Sequence, residues 1–393
     1  KDFDQKEEAI AQKLQQAVNE KNYKEGDRII LLTKKFNEKD TRKGLKEFNI
    51  QHVELVIVDV PDALNWFREK HSAFHHMYYI LWQHWAWLWV KHSGIHFDVI
   101  HHVTMNDYRI PGEMYKAKGA KVIWGPMGGA QVTPKPLKVY EKNQLVANFR
   151  EFVNKSCSWN PFYKKALRSY YKIYCINNET QKQISRIVGK DVPLMPELAL
   201  RDEYKNLPIQ KRKNDILKIV FVGRLIGKKG IAFLVDALSL MPTDMEWELL
   251  IFGDGDDRAL IEKQIADSGI EKNIKLMGNR PLNQIAEAYQ QADIFVLPSL
   301  RETSGNVLLE AMAYAVPIVA FDTSFCRLLK KVDCGVFVNT EQALDNIKAD
   351  YCKAIVTLGQ DKELANQMGQ NGYKYVNSKL TWDEKYKVIV NDM

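Results

Sequence analysis

A chain of 393 residues is too long for one comfortable hydrophobic core and predicts two domains. Its apolar fraction of 46% is ordinary for a globular protein and excludes intrinsic disorder. The five scattered cysteines contain no CxxC pair, which argues against a zinc site and predicts reduced thiols in a cytosolic setting.

The net charge of +7 is unevenly distributed along the chain. Residues 101–200 hold 16 Lys and Arg against 7 Asp and Glu, whereas residues 201–393 hold 25 against 27. A basic band in one half predicts an anionic partner there, which could be a membrane surface, a lipid diphosphate or nucleic acid.

The first segments predict the beginning of an α/β domain. Residues 3–20 carry an apolar stripe at helical spacing, and residues 27–34 and 53–60 have the composition of strands. A doubly wound domain begins with a strand and a glycine-rich turn, but this sequence begins with the helix. We therefore expect the first strand and its phosphate-facing loop to be missing from it.

Residues 62–92 predict one long helix that is unusually rich in Trp, Tyr and Phe. It is too short and too polar at its flanks to span a membrane. Burial inside the N-terminal domain is the preferred interpretation, and partial insertion at a lipid interface is the alternative. The next strand, residues 97–104, contains His101 and His102, whose side chains alternate to opposite faces.

Residues 121–130 predict a strand that runs into a Gly-Pro-x-Gly-Gly turn. The segment could be a tight strand-to-helix turn and no more, or it could let the backbone approach a ligand in the cleft between the domains. Residues 135–172 then interleave basic and aromatic side chains. This band could be a solvated face, or it could contact a membrane surface or a lipid-linked acceptor. Nucleic acid is disfavoured, since no recognition motif accompanies the charge.

The polar stretch 201–214 predicts a hinge linker, after which a second doubly wound domain begins. Residues 217–238 read as a strand, a turn with Gly223, Arg224 and Lys229, and a helix. Strands 248–252 and 274–278 follow, and 351–376 and 382–391 predict the last helices.

The stretch 292–322 predicts a buried strand from Ile294 to Leu297, a polar loop, a helix from Gly305 to Ala315 and another strand from Ile318 to Phe321. Thr303 or Ser304 is the expected N-cap. Glu302 lies in the loop and Glu310 in the helix, at the carboxyl end of a parallel strand where such sheets bind ligands. The backbone amides of Gly305, Asn306 and Val307 would face an anion there. This arrangement suits a nucleotide-sugar.

Glu302 and Glu310, with seven residues between them inside PSLRE...G...LLEAMA...P, resemble the signature of retaining family 4 glycosyltransferases with the GT-B fold. The resemblance implies two doubly wound Rossmann-like domains facing a cleft. It places the N-terminal acceptor-side domain at 1–205, the nucleotide-sugar-binding domain at 216–378, and a helix at 379–393 that returns to the first domain. Thr303 and Ser304 depart from the common pattern, in which a Gly and an aromatic residue are usual.

The resemblance also implies roles for the residues. Glu302 would contact the hydroxyls of the donor sugar and Glu310 those of the ribose, while Arg224 and Lys229 would bind the diphosphate. Asn279 and Arg280 would lie near the nucleobase. His101 and His102 sit close to the place where many family members keep a histidine facing the reaction centre. The Gly-Asp-Gly turn at 253–255 belongs to the pattern, so a metal site at Asp254, Asp256 and Asp257 is rejected.

Together these features predict a metal-independent enzyme that uses a UDP- or GDP-sugar and a glycan, lipid-linked or protein acceptor. Synthesis of a bacterial surface polysaccharide or glycoconjugate is the expected setting. The expected location is cytoplasmic, with peripheral binding to the inner face of the plasma membrane as an option. An inactive glycosyltransferase-like partner subunit and a GT-B epimerase or phosphorylase remain as alternatives.

Overall fold

The computed structural model describes residues 28–47, 49–61, 75–103, 107–209, 215–303 and 305–392. The predicted helix 3–20, the first part of the helix predicted at 62–92 and the end of the linker lie outside these ranges. The chain divides into two compact units. The first comprises Lys1–Gly125, Asn160–Ile173 and Trp382–Met393, and the second comprises Pro126–Trp159 and Tyr174–Thr381.

Helices and strands alternate along the described residues, as predicted for an α/β protein. The strands are β1 (Ile29–Thr33), β2 (Val53–Ile57), β3 (Val99–His102), β4 (Lys121–Met127), β5 (Lys172–Cys175), β6 (Leu217–Val222), β7 (Trp247–Phe252), β8 (Ile274–Gly278), β9 (Ile294–Leu297), β10 (Ile318–Phe321) and β11 (Gly335–Val338). The helices are α1 (Glu38–Glu47), α2 (His75–His92), α3 (Gln144–Cys157), α4 (Pro161–Ser169), α5 (Asn178–Val188), α6 (Ile231–Leu238), α7 (Arg258–Asp267), α8 (Leu282–Gln291), α9 (Asn306–Ala313), α10 (Ser324–Leu329), α11 (Leu344–Gln360), α12 (Lys362–Lys379) and α13 (Trp382–Asp392).

The second unit is built on a six-stranded sheet with the order β11-β10-β9-β6-β7-β8. All its pairings are parallel, and β9 and β10 are buried throughout. This is the doubly wound order, in which the chain runs outward from β6 to one edge and then restarts at β9. The topological switch point therefore lies between β6 and β9, where such sheets bind ligands at their carboxyl ends.

Aromatic side chains fill the core on one face of this sheet. The Phe233 ring lies 4.9 Å from the Phe321 ring and 5.4 Å from the Tyr351 ring, both in edge-to-face contact. Tyr351 is fully buried, and its hydroxyl donates to the Val319 carbonyl at 2.8 Å. The core is therefore packed with its buried hydroxyl satisfied, which holds the strand ends of the switch point in place.

The N-terminal strands form two smaller parallel arrangements. β1 pairs with β2, with Ile29 opposite Val53, and the order of the other sheet is β3-β4-β5. The preferred burial of the aromatic helix holds for one side of α2, where Tyr79 and Trp82 are buried. In the parts of the chain that the structure describes, no helix is both long and apolar enough to cross a bilayer.

Three predicted boundaries are wrong. β4 continues through Gly125 and Pro126 instead of turning there, because its buried residues remain paired as far as Met127. Residues 192–197, whose composition predicts a short strand, form only a single bridge, between Cys175 and Leu194. The long helix predicted across 351–376 is two helices that separate at Asp361, whose carboxylate caps α12 by accepting from the Leu364 amide.

Candidate active site

Two loops interlock at the switch point, one after β6 and one after β9. Gly230 has a φ of +70°, and a Cβ at this position would lie 2.0 Å from the carbonyl oxygen of Pro298. The Leu300 amide donates to the Lys228 carbonyl at 2.9 Å. Only glycine allows the two backbones to approach this closely, so the lysines of one loop are held against the carboxylate of the other.

Glu302 is buried between these loops and accepts hydrogen bonds on the same carboxylate oxygen from two side chains. Lys229 Nζ lies 2.6 Å from Oε2, and the Ser299 hydroxyl donates to Oε2 at 3.0 Å. The structure thus joins two residues that are 73 positions apart and that the sequence predicted separately. A buried carboxylate with a cationic partner is held in a defined orientation.

Three further cations lie around this pair: Arg224, Lys228 and Arg301. Burial lowers the pKa of Lys228, and repulsion from Lys229, Arg224 and Arg301 lowers it further, whereas Glu302 opposes the shift. Lys228 is half-buried and therefore is not an ordinary surface charge. Arg224 is exposed, and Arg301 pairs with Glu141 at 3.1 Å. Such a concentration of positive charge favours binding of a multiply charged anion.

Glu310 lies on α9 with both carboxylate oxygens engaged. Oε1 accepts from Arg201 Nη2 at 3.4 Å, and Oε2 accepts from the Tyr289 hydroxyl at 3.2 Å. Burial raises the pKa of Glu310, and the charge of Arg201 partly opposes the increase. The Tyr314 ring stacks on Tyr289 at 5.6 Å, which adds an aromatic wall. Glu310 is therefore not a solvated charge on the surface of the helix.

Arg201 is a member of the candidate site that sequence reasoning missed. Its guanidinium carbon lies 4.7 Å from the centre of the Tyr204 ring, and Nη1 pairs with Glu203 at 3.1 Å. The polar composition of 201–214 predicted only a linker. An arginine followed three residues later by a tyrosine is the available signal, and it becomes meaningful only when Glu310 is placed beside it.

The start of α9 differs from the prediction. Its N-cap is Gly305, with a φ of +71°, so Thr303 is not the cap, and Ser304 lies outside the described residues. Because Gly305 forms no side-chain cap, the first-turn amides, including those of Asn306 and Val307, are not bonded to an N-cap side chain. Glu302 and α9 nevertheless remain adjacent, since a Cβ on Gly305 would lie 3.4 Å from Glu302 Cγ.

The Gly-Asp-Gly turn after β7 packs against the turn after β6. A Cβ on Gly253 would lie 2.0 Å from the Gly223 carbonyl oxygen, so this close approach requires glycine. The acidic side chains face cations, with Asp254 3.5 Å from Arg258 and Asp257 2.8 Å from Lys142. Within the described residues, no group of three His, Cys, Asp or Glu side chains is placed to hold a metal ion.

Two further sets of candidate residues follow strands β8 and β4. Asn279 and Arg280 follow β8, two strands away from β6 in the sheet, and both are exposed. Arg280 Nε donates to the Met277 carbonyl at 2.8 Å. The Gly-Pro-x-Gly-Gly segment contributes Gly128, where a Cβ would lie 3.2 Å from Thr303 Cγ2. The backbone of that segment therefore closely approaches the loop that carries Glu302.

His101 and His102 lie on β3 in the first unit, with different surroundings. His102 is buried, shares a 2.9 Å hydrogen bond with the Tyr79 hydroxyl through Nε2, and stacks on Trp124. Its Nδ1 has no hydrogen-bond partner among the described residues. His101 Nε2 lies 2.9 Å from the Gly125 carbonyl oxygen and is half-buried. The two neighbouring histidines therefore differ in their surroundings, and His102 is the buried one.

Burial, and secondarily the neighbouring His101, lowers the pKa of His102 from 6.5 to about 4. The unfolded chain therefore binds a proton between pH 6.5 and 4 that the folded protein does not bind. We expect the free energy of unfolding to fall over this range as the pH falls, by up to about 3 kcal/mol from this residue. Urea unfolding of wild type and His102→Phe at several pH values tests this. The variant should lose part of the slope, and an identical slope would contradict the assignment.

Comparison with known proteins identifies the part of the second unit that contains the six-stranded sheet. Residues 203–375 match the family model described as glycosyl transferases group 1. This segment is a group 1 glycosyl transferase domain. The glycosyl transferase domain contains the whole six-stranded sheet, with Glu302, Glu310, Arg224 and Lys229. The predicted recognition of this family is therefore confirmed.

Solved structures show that the fold is GT-B, as predicted. A glycosyltransferase from Rickettsia africae has a TM-score of 0.62 and 16% identity, covering 98% of this chain and 93% of its own. The Anabaena protein HepE, solved in complex with UDP, has a TM-score of 0.60 and 15% identity, covering 96% and 94%. The fold thus extends well beyond the matched glycosyl transferase domain.

Sequence similarity to curated proteins is more local. The amylovoran biosynthesis glycosyltransferase AmsK of Erwinia amylovora is 33% identical over 134 residues, which is 32% of this chain and 33% of AmsK. The match therefore spans about a third of the length of that relative.

The five cysteines of this chain form no disulfide.

Proposed function

We propose that this protein is a retaining family 4 glycosyltransferase that moves a sugar from a nucleotide-diphosphate donor to a glycan, lipid-linked or protein acceptor. One observation carries the proposal: Lys229 forms a 2.6 Å ion pair with the buried Glu302, inside a group of four cations at the switch point. Glu310 lies eight positions after Glu302 on the same loop-helix unit. A diphosphate and a sugar are the chemical groups that match this combination of charges and carboxylates.

The nucleotide would occupy the carboxyl end of the sheet. Arg224 and Lys229 would offset the diphosphate charge, Gly223 would allow it to approach the backbone, and the amides at Gly305, Asn306 and Val307 would add hydrogen bonds. Glu310 would bind the ribose hydroxyls, and Asn279 and Arg280 the base. HepE, which shares the fold, was solved with UDP, which supports a UDP-sugar as the first donor to test.

Catalysis would depend mainly on electrostatics. As the bond between sugar and diphosphate breaks, negative charge grows on the leaving phosphate, and fixed cations stabilise that charge. In our proposal the leaving diphosphate oxygen takes the proton of the acceptor hydroxyl, with no side chain acting as the base. Glu302 would hold the sugar hydroxyls, and His101 or His102 would contribute on the acceptor side. The new glycosidic bond replaces the sugar–phosphate bond, and the proton of the acceptor ends on the released diphosphate.

A nucleotide panel followed by a transfer assay tests this function. The nucleoside diphosphate that raises the melting temperature most identifies the base, since a ligand bound only by the folded state stabilises it. Its sugar conjugate is then incubated with acceptors, and the anomeric configuration of the product is read by NMR. Binding without transfer to any acceptor would favour the inactive partner subunit, and isomerisation of the donor would favour the epimerase. That the protein acts in the cytoplasm, in synthesis of a surface polysaccharide or glycoconjugate, stays a prediction.

We expect transfer to proceed without a divalent cation, because Arg224 and Lys229 supply positive charge where the diphosphate would lie. Addition of EDTA should leave the rate of transfer essentially unchanged. The matched control is EDTA with excess magnesium, which should give the same rate. Complete loss of activity that magnesium or manganese restores would show that the protein cations do not suffice.

A further inference from the structure

Helix α3 exposes an apolar stripe on its outermost face. Leu145 is 80% exposed, Phe149 67% and Phe152 58%, and Val146 lies beside them. These residues recur at spacings of three and four, so they share one side of the helix. Ala147 and Asn154, on the opposite side, are the buried residues of α3. The helix is therefore amphipathic with its apolar side turned to solvent, the reverse of an ordinary surface helix.

The charges around this stripe are cationic. In a helix, Arg150 and Lys155 project on the two opposite flanks of the stripe. The sole carboxylate in the sequence of α3, Glu151, is ion-paired with Lys138 at 2.6 Å. Exposed Trp159 follows two residues after the helix ends. An apolar helix face with basic flanks and a nearby tryptophan is the pattern of a helix that lies in a membrane interface.

We propose that the outer face of α3 (Leu145, Val146, Phe149 and Phe152) inserts into the surface of an anionic bilayer. The occupant is chosen by charge complementarity, because the flanking cations would meet lipid phosphates while the stripe enters the acyl boundary. The sequence offered two aromatic segments for contact with a membrane, the helix at 62–92 and the band at 135–172, and the structure distinguishes them. α2 buries Tyr79 and Trp82, whereas α3 exposes its aromatic residues. Membrane binding at α3 stands independently of the proposed sugar transfer.

Sedimentation of the full-length protein with vesicles tests this surface. We expect binding to vesicles of equal parts phosphatidylglycerol and phosphatidylcholine, weak binding to pure phosphatidylcholine, and a fall in binding as salt rises. The double variant F149S/F152S should lower the vesicle partition coefficient by about tenfold or more, because two aromatic rings no longer leave water. F149W/F152W should keep the binding.

The matched control is L260S/L282S, which removes two similarly exposed leucines, at 62% and 51%, from other helices of the same unit. Its vesicle binding should equal that of wild type. Melting temperature and nucleoside diphosphate binding should be unchanged in both double variants, which separates loss of the surface from loss of the fold or of donor binding. Absence of vesicle binding at low salt would overturn the inference, as would equal binding by F149S/F152S and wild type. A wild-type dimer that F149S/F152S dissociates, with no vesicle binding, would instead assign this face to a second copy.

Discussion

Replacing Lys229 with methionine is expected to lower kcat/KM for sugar transfer by about a hundredfold to a thousandfold. Methionine preserves the length of the side chain but removes the cation that would face the leaving diphosphate, and loss of one such group has an effect of this size. Steady-state kinetics with the donor identified by the nucleotide panel provide the measurement. Lys229→Arg retains the charge and should recover part of the loss.

Loss of the Lys229–Glu302 pair could also weaken the fold, because removing one partner leaves a buried carboxylate uncompensated. The double variant K229M/E302Q separates the two effects. It should recover the melting temperature of wild type while activity stays low. Lys263→Ala, an exposed cation on α7, is the matched control and should change neither quantity. Activity of K229M within twofold of wild type would refute the assigned role.

Glu310→Ala is expected to weaken binding of the bare nucleoside diphosphate by about 1–3 kcal/mol, which is a rise in Kd of about fivefold to 150-fold. The physical reason is the loss of the carboxylate that would accept hydrogen bonds from the ribose. Because burial raises the pKa of Glu310, affinity should begin to fall at a higher pH on acidification than for a solvated glutamate. Calorimetric titrations at several pH values measure both effects.

Glu302→Ala is expected to have the opposite effect from Glu310→Ala. Glu302→Ala should leave binding of the nucleoside diphosphate nearly unchanged and should mainly depress turnover, since it would contact the sugar. Glu287→Ala, an exposed glutamate on α8, is the control and should affect neither binding nor turnover. If Glu302→Ala weakens nucleotide binding and Glu310→Ala only slows transfer, the two roles are reversed.

Local patterns predicted most strands of the second unit correctly because those strands are continuous apolar runs between polar turns. Ile294–Leu297 and Ile318–Phe321 match residue for residue, since a strand buried on both faces has no polar alternation to obscure its ends. Predictions failed where neighbouring backbone determined the boundary. β4 continues through Gly125-Pro126 because it is paired in a sheet, and α9 begins at Gly305 rather than at a side-chain cap.

The chemical types of the candidate site followed from sequence. Glu302, Glu310, Arg224 and Lys229 could be identified because the surrounding sequence resembles the glycosyltransferase signature, and Glu302, Arg224 and Lys229 also stand in turns after apolar strands. Which of these groups touch one another depended on the order of strands in space. Placing β6 beside β9 joins Lys229 to Glu302 and gathers Lys228 and Arg301 around them, although no local pattern links positions so far apart.

Which side chains are buried could likewise be known only from the tertiary structure. Arg201 looked like part of a polar linker until Glu310 was found beside it, and His101 and His102 are identical in sequence terms while only His102 is enclosed by Tyr79 and Trp124. Whether an aromatic helix hides or exposes its rings likewise depends on what packs against it. Residue type and spacing are properties of the chain, whereas electrostatic environment and solvent access are properties of its long-range contacts.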